Sequence, residues 1–336
     1  MELKIHPLRL KLKKPFTIAH GTFHHREAVV VELQADGLSG FGEATAISYY
    51  GKSVEVFKNT LEENRSIIET TFQSPSEYYQ YLYPHLKDHP FILCALDAAA
   101  HDLWAKRLGL PLYQALGLSI DQLPVSNFTL GIDTIPNMVA DIQSLDLPIY
   151  KIKLGTADDV AIIENLRQHT DALFRVDANG AWTVEETLQN ALAFQSLGVE
   201  FIEQPLAQEN LKGMKEVFKK SVLPIIADES CQVVTDVKKC HQHFHGINIK
   251  LMKCGGITPA LQMIREAKQL GMKVMLGCMT ETSIGISAIA HLAPLLDYVD
   301  MDGAMLLAED PATGAYLDKG NIVYGTGNGL GALLVS

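Results

Sequence analysis

Positive charge is in short supply in this chain. Across 336 residues, 28 lysines and arginines face 39 aspartates and glutamates, and the formal net charge of −11 disfavours non-specific attraction to nucleic acid or to an anionic membrane surface. Cysteine is scarcer still. The five, Cys94, Cys231, Cys240, Cys254 and Cys278, are scattered, odd in number and form no CxxC pair, which argues against a disulfide framework or a zinc site and fits a reducing cytoplasm. No run of about 18 apolar residues occurs, and the N-terminal MELKIHPLRLKLKK alternates apolar with polar residues, so neither a membrane span nor secretion is expected. What is present is a globular composition, 47% hydrophobic and 20% charged, pointing to a small-molecule partner.

The length suits a barrel plus a smaller companion domain. Ile5 to Leu12, Ala28 to Leu33 and the glycine-rich Gly40 to Ala44 predict three strands. Val54 to Thr70, Pro75 to Leu86 and Phe91 to Leu108 predict helices, the last stopped by Gly109 and Pro111. Residues 1–118 therefore form an α+β domain. Beyond Leu123 the pattern becomes short β-rich runs alternating with helical stretches, the signature of βα units. Eight strands are expected: Val125–Leu130, Tyr150–Leu154, Phe174–Asp177, Phe201–Glu203, Ile225–Asp228, Ile247–Lys250, Val274–Leu276 and Tyr298–Met301. The fold class is α/β, a modified TIM-type barrel over residues 119–336, with the C-terminal segment free to return to the first domain. In such a barrel the strand C-terminal ends meet at one mouth, where polar side chains point to catalysis.

Three acids sit at those ends. Asp177 in RVDAN, Glu203 in FIEQP and Asp228 in IADES close successive strands at intervals of 26 and 25 residues, one βα unit each. Two carboxylates about 4 Å apart repel by about 4 kcal/mol at an effective dielectric near 20, so a cation must offset them. Hard oxygen donors without histidine or cysteine select Mg2+, or Mn2+, over zinc. Lone acids at strand ends also cap helices, but three in register favour the metal. Lys151 and Lys153 lie two apart on the second strand and so share a face, while Lys250 ends the sixth strand across the barrel. An amine on each side of a bound substrate permits two-sided proton transfer, with burial and neighbouring cations expected to lower the lysine pKa toward the useful range. The blander alternative is that these lysines only neutralise the acids. Lys253 is expected at the surface.

The ordered set KxK, DAN, EQP, DES and KxxxGG resembles the enolase superfamily, specifically its muconate-lactonizing-enzyme group, across both domains. The resemblance implies Asp177, Glu203 and Asp228 as metal ligands, Lys153 and Lys250 as the acid/base pair, Lys151 against the substrate carboxylate, and a capping role for the first domain. In that superfamily a base removes a proton beside a carboxylate and the metal stabilises the resulting enediolate. Inversion, dehydration and cycloisomerization all share this first half-reaction.

Asp300 and Asp302 lie two apart at the end of the eighth strand, with no evident lysine partner and a need for an external cation. This DxD is similar to that of dipeptide epimerases, where the resemblance implies that the acids bind the substrate's α-ammonium; the alternative is helix capping. Thr129 and Cys278 look like further substrate contacts in the same family, or packing. The segment Phe16 to Arg26 is expected to be a flap loop over the mouth. Alanyl-glutamate epimerases resemble this chain but carry an arginine early in that loop, where this sequence has His20-Gly21; Arg26 is a candidate substitute but lies beside the next strand. A small or apolar C-terminal residue such as alanine is therefore favoured over glutamate, with Ala-Ala as an example dipeptide. Rival readings are an o-succinylbenzoate synthase or muconate cycloisomerase, or a small-molecule-binding barrel without activity. A homo-oligomer is open. His241, His243 and His245 are expected to be solvated at the far end of the barrel, and Asp97 with His101 to serve helix packing.

Overall fold

In this computed structural model, residues 1–18, 21–47 and 51–335 are described. The chain opens with an antiparallel sheet of β1 (Glu2–Ile18), β2 (Gly21–Ala35) and β3 (Leu38–Ala46). The segment expected as a flap loop is thus mostly hairpin. The alternation breaks at Lys13-Lys14-Pro15 and returns at Phe16-Thr17-Ile18, so the ladder resumes after a register shift between Lys11 and Phe16, pairing Phe16 with Phe23 and Ile18 with Gly21. His20 lies outside the described residues.

Helices α1 (Val54–Glu63), α2 (Arg65–Ile68), α3 (Pro75–Leu86), α4 (Pro90–Leu108) and α5 (Leu112–Ala115) follow. The single helix expected over Val54 to Thr70 is broken at Asn64, whose side-chain amide donates to the Thr60 carbonyl at 2.8 Å and ends the first segment. Helix α4 is apolar on nearly all sides and almost wholly buried, packed against both the sheet and the barrel.

The barrel runs β4 (Phe128–Leu130), α6 (Ile135–Leu145), β5 (Ile149–Lys153), α7 (Asp159–Arg167), β6 (Leu173–Asp177), α8 (Val184–Ser196), β7 (Val199–Glu203), α9 (Leu211–Lys220), β8 (Ile225–Ala227), α10 (Val234–Cys240), β9 (Gly246–Lys250), α11 (Leu251–Cys254), α12 (Ile257–Gln269), β10 (Lys273–Gly277), α13 (Ser283–Ala290) and β11 (Tyr298–Asp300). Eight strands form one parallel sheet in sequence order. A single parallel bridge between Ser126 and Val299 joins the two ends. The α/β barrel with its N-terminal α+β layer is as expected, with one difference. The last strand is followed by a short 3-10 turn, Gly303–Leu306, and not by an α-helix. The chain beyond it runs back to the first layer: Ala308 N–H donates to the Lys11 carbonyl at 2.8 Å, and Leu330 N–H to Asp102 at 2.7 Å.

Asp97 on α4 joins the layers by accepting from Thr258 N–H at 2.8 Å and the Thr258 hydroxyl at 2.6 Å, with His101 Nε2 3.1 Å from the same hydroxyl. This is the packing role expected for the pair. Burial pushes the Asp97 carboxyl up to about 7. The folded chain thus keeps a proton that the unfolded chain has lost, and stability falls as pH rises from the ordinary carboxylate range through 7. Asp97→Asn, which cannot ionise, should gain on the parent by a few degrees in thermal midpoint between pH 5 and pH 8, measured by circular dichroism. An unchanged difference would mean the carboxyl is ionised throughout.

Candidate active site

Strand register assembles the site. Lys153 pairs with Asp177 across β5 and β6, and Asp177 pairs with Glu203 across β6 and β7, so the three form one row at the strand ends. Asp228 lies just past β8, and Lys250 ends β9, separated from β5 by three strands on one side and therefore on the opposite wall. Lys153 Nζ is 2.6 Å from Asp177 Oδ2 and 3.3 Å from Asn179 Oδ1. Lys151 Nζ stands 2.8 Å from Glu203, 3.0 Å from Asp300 and 3.3 Å from Asp177. Lys250 Nζ is 3.0 Å from Asp228 Oδ2, and Lys253 Nζ is 2.8 Å from Asp228 Oδ1. Lys253 is therefore no surface residue. It is 5% exposed, because α11 begins directly after β9 and turns it back over the mouth.

Asp177, Glu203 and Asp228 are at most 1% exposed. Burial alone would raise all three carboxyls. Lys153 and Lys151 outweigh it at Asp177 and hold that group at about 2, while Lys250 and Lys253 hold Asp228 far below the usual range. At Glu203 burial prevails over Lys151, and the carboxyl rises to about 7. The expected lowering of lysine basicity is absent in this arrangement. Burial does act downward on Lys151 and Lys250, but Asp300, Glu203 and Asp177 around the first, and Asp228 around the second, carry both above the ordinary lysine range.

The acids suit a hard dication. Glu203 Oε1 is held by Asn248 Nδ2 at 2.8 Å, whereas buried Oε2 accepts no well-formed hydrogen bond even with Lys151 Nζ nearby. All the donors offered are carboxylate oxygens, and lysines stand beside them as displaceable counter-charges.

A cavity of about 420 Å³ lies above these groups. Lys151, Lys153, Lys250 and Lys253 line it along with Asp228, Thr129, Cys278, Asp300 and Asp302, while Asp177 and Glu203 lie beneath the lysines. Its roof is Phe16 from β1, Phe23 and Arg26 from β2, and Ile47 after β3. Arg26 thus faces the cavity, its guanidinium 3.4 Å over the Phe23 ring and lowered to about 10 by burial.

At the eighth strand the acids differ from each other. Asp300 does have a lysine, Lys151, and also accepts from Asn127 Nδ2 at 2.7 Å, so the expectation that both acids lack a partner fails for this one. The reason is that β4 and β5 close against β11, which the chain order alone does not display. Asp302 accepts Thr129 N–H at 2.5 Å and the Cys278 thiol at 3.7 Å, and no lysine or arginine among the described residues forms an ion pair with it. Burial, and then the charge of Asp300, push its carboxyl up to about 7. Cys278 Sγ and carboxylate oxygens of Asp300 and Asp302 lie within 4.8 Å of one another, a compact pole whose negative charge resides on the two acids, since burial keeps the thiol protonated.

Two family profiles cover this architecture: the mandelate racemase / muconate lactonizing enzyme N-terminal domain matches residues 1–117, and the enolase C-terminal domain-like profile matches residues 138–334. The chain belongs to the mandelate racemase / muconate lactonizing enzyme family. It is 51% identical over 336 residues to an L-Ala-D/L-amino acid epimerase of Flavobacterium johnsoniae, with 100% of each chain covered. Its structure is similar to that of the substrate-liganded L-Ala-D/L-Glu epimerase of Bacillus subtilis, at TM-score 0.94, 28% identity and coverage of 100% and 99%. It is also similar to the dipeptide epimerase of Enterococcus faecalis V583 complexed with Mg and L-Leu-L-Tyr, at TM-score 0.91, 32% identity and 98% of each chain.

In this family member, sequence reasoning missed four polar neighbours of the site: Asn127, Asn179, Asn248 and Lys253. Asn248 carried a signal, since it lies two residues before Lys250 and shares its face. Asn179 also carried one, in that the DANG turn places it at φ +46°, a conformation asparagine tolerates. Asn127 and Lys253 had none. The histidine run lies at the other end of the barrel, where His245 Nδ1 accepts from Ile225 N–H at 3.1 Å.

Proposed function

We propose that this protein is a magnesium-dependent dipeptide epimerase that inverts the α-carbon of the C-terminal residue, with residues 1–118 capping a catalytic barrel over 119–336. The observation that carries the reading is the placing of Lys153 and Lys250 on opposite walls of one cavity, with three buried carboxylates below and Asp302 at the rim. Asp177, Glu203 and Asp228 would hold the ion. When bound, it supplies positive charge beside the substrate carboxylate, where negative charge accumulates as the α-proton leaves.

The chain's own groups do the rest. Lys151 holds the substrate carboxylate, and Asp300 and Asp302 receive the α-ammonium, with Thr129 and Cys278 fixing the Asp302 carboxylate. A lysine on one face, able to lose its proton once the ion and not the ammonium offsets the acids beside it, breaks the Cα–H bond in its neutral form and keeps the proton on Nζ. The ammonium opposite then delivers its own proton to the same carbon from the other side, and the configuration inverts. Phe16, Phe23, Ile47, Met279 and Leu306 exclude water and, with the Arg26 guanidinium stacked on the Phe23 ring, favour a small or apolar C-terminal side chain, as in Ala-Ala.

The ammonium pole separates this reading from o-succinylbenzoate synthesis or muconate cycloisomerization, whose acidic substrates present no ammonium to Asp302. The opposed lysines separate it from a binding barrel. No helix among the described residues is long and apolar enough to cross a membrane. The few, scattered cysteines fit a cytoplasmic setting, and a homo-oligomer is open.

Incubation with magnesium and a dipeptide library in deuterated water should give a one-unit mass gain for substrates; no gain across the library would reject the proposal. Asp302→Asn should raise KM by roughly tenfold to a hundredfold, the worth of a hydrogen bond to a charged group, and leave the magnesium midpoint unchanged. Equal loss of both would remove Asp302 from the ammonium pole.

A further inference from the structure

Strand β3 presents two different faces. Gly40 and Gly42 lie against the α4 backbone so closely that a Cβ on either would overlap the Ala99 or Ala95 carbonyl. The alternate residues Glu43 and Thr45 therefore turn the other way, toward the barrel. Glu43 is 2% exposed, and its carboxylate accepts from the Thr282 hydroxyl at 2.6 Å, Thr282 N–H at 3.0 Å and Gly285 N–H at 3.3 Å. Thr45 donates its hydroxyl to the Thr280 carbonyl at 3.3 Å. Neither residue lines the cavity, yet the segment they grip does: Cys278, Met279 and Thr280 form one of its walls.

Building on the epimerase reading, we propose that Glu43 is a positioning residue, which from the capping layer fixes the segment 278–282 and through it the Asp302 pole that holds the substrate's ammonium. The segment has little freedom to move alone. Glu281 turns inward and accepts Met279 N–H at 2.8 Å, in space left by the missing side chain of Gly285. On the far side Gly303, next to Asp302, packs so closely that a Cβ there would overlap the Met279 carbonyl and approach Cys278 Sγ. A shift of the segment is thus passed to Cys278, which donates to Asp302, and to the backbone that carries Asp302. Burial, with Asp310 nearby, holds the Glu43 carboxyl up at about 7, so glutamine is a close stand-in for its neutral form.

The test compares Glu43→Ala, Glu43→Gln and Thr45→Val in the full chain with magnesium and a dipeptide turned over by the parent. Glu43→Ala should raise KM about tenfold with kcat held within about threefold, since it loosens binding and leaves the lysines in place. Glu43→Gln should return KM to within about threefold, and Thr45→Val should raise it about threefold. Amide hydrogen exchange across 278–286, read without substrate, should quicken about tenfold in Glu43→Ala. If Glu43→Ala does not fold, the same split and a smaller quickening must appear in Thr45→Val. A fall in kcat with KM unchanged, or unaltered exchange in that segment, would overturn the proposal. Should the parent turn over no dipeptide, the epimerase reading falls, and the exchange measurement still decides whether Glu43 fixes the segment.

Discussion

Lys153→Met and Lys250→Met should each lower net epimerization by about 10³-fold or more, while each retains exchange of the α-proton in one epimer only. The expectation follows from the barrel's geometry. The two amines belong to β5 and β9, on opposite walls, so each can reach only the proton on its own side of the substrate carbon. With Lys250 removed, Lys153 can still take a proton and return solvent deuterium to the same face, giving exchange without inversion. With Lys153 removed, the other epimer should exchange. Methionine keeps the length of the side chain and much of its apolar packing, although each substitution frees a buried carboxylate, Asp177 or Asp228, from one ammonium. Chiral separation of dipeptides after incubation in deuterated water reads both outcomes together. Two variants that exchange the same epimer, or a variant that still inverts, would rule out one base on each face.

Much of this site was legible in the sequence because strand periodicity dictates it. Once YKIKLG is a strand, Lys151 and Lys153 must share a face, and once the strands alternate with helices, Asp177, Glu203, Asp228 and Lys250 must gather at one end. What escaped was set by contacts distant in sequence or by local turns. Lys253 looked like a surface residue because nothing in MKCGG reveals that Gly255, at φ +99°, ends a one-turn helix and tucks the lysine inward. Asp300 looked unpaired because its partners Lys151 and Asn127 precede it by 149 and 173 residues. The flap was expected as a loop because specificity tends to lie on loops, and the continued pairing of Phe16 with Phe23 was not evident. Before any cation engages the acids, the basicity of Lys151 and Lys250 has an electrostatic cause. The neighbours that matter most are the acids, and their combined charge exceeds the effect of burial.

Stripping magnesium with a chelator should abolish turnover and leave the fold intact, with activity restored by Mg2+ or Mn2+ and poorly by Zn2+. Intact folding is expected because Lys151, Lys153, Lys250 and Lys253 already sit at hydrogen-bonding distance from the acids and offset repulsion worth about 4 kcal/mol per close pair at an effective dielectric near 20. Those ammoniums cannot replace a dication during catalysis, since Lys153 and Lys250 must be free to exchange protons with the substrate. Asp228→Asn should then act twice. It removes one anionic donor, and it leaves Lys250 and Lys253, 3.0 Å and 2.8 Å from its two oxygens, as positive charges with no carboxylate between them and an incoming ion. The magnesium midpoint should therefore rise by more than about tenfold, in turnover and in the magnesium-induced gain in thermal midpoint alike. Even without the ion the variant should be less stable by about 3–5 kcal/mol, the usual cost of removing one member of a buried pair. A variant with unaltered magnesium dependence would show that Asp228 belongs to the lysines alone, and the three acids would then have no shared cation.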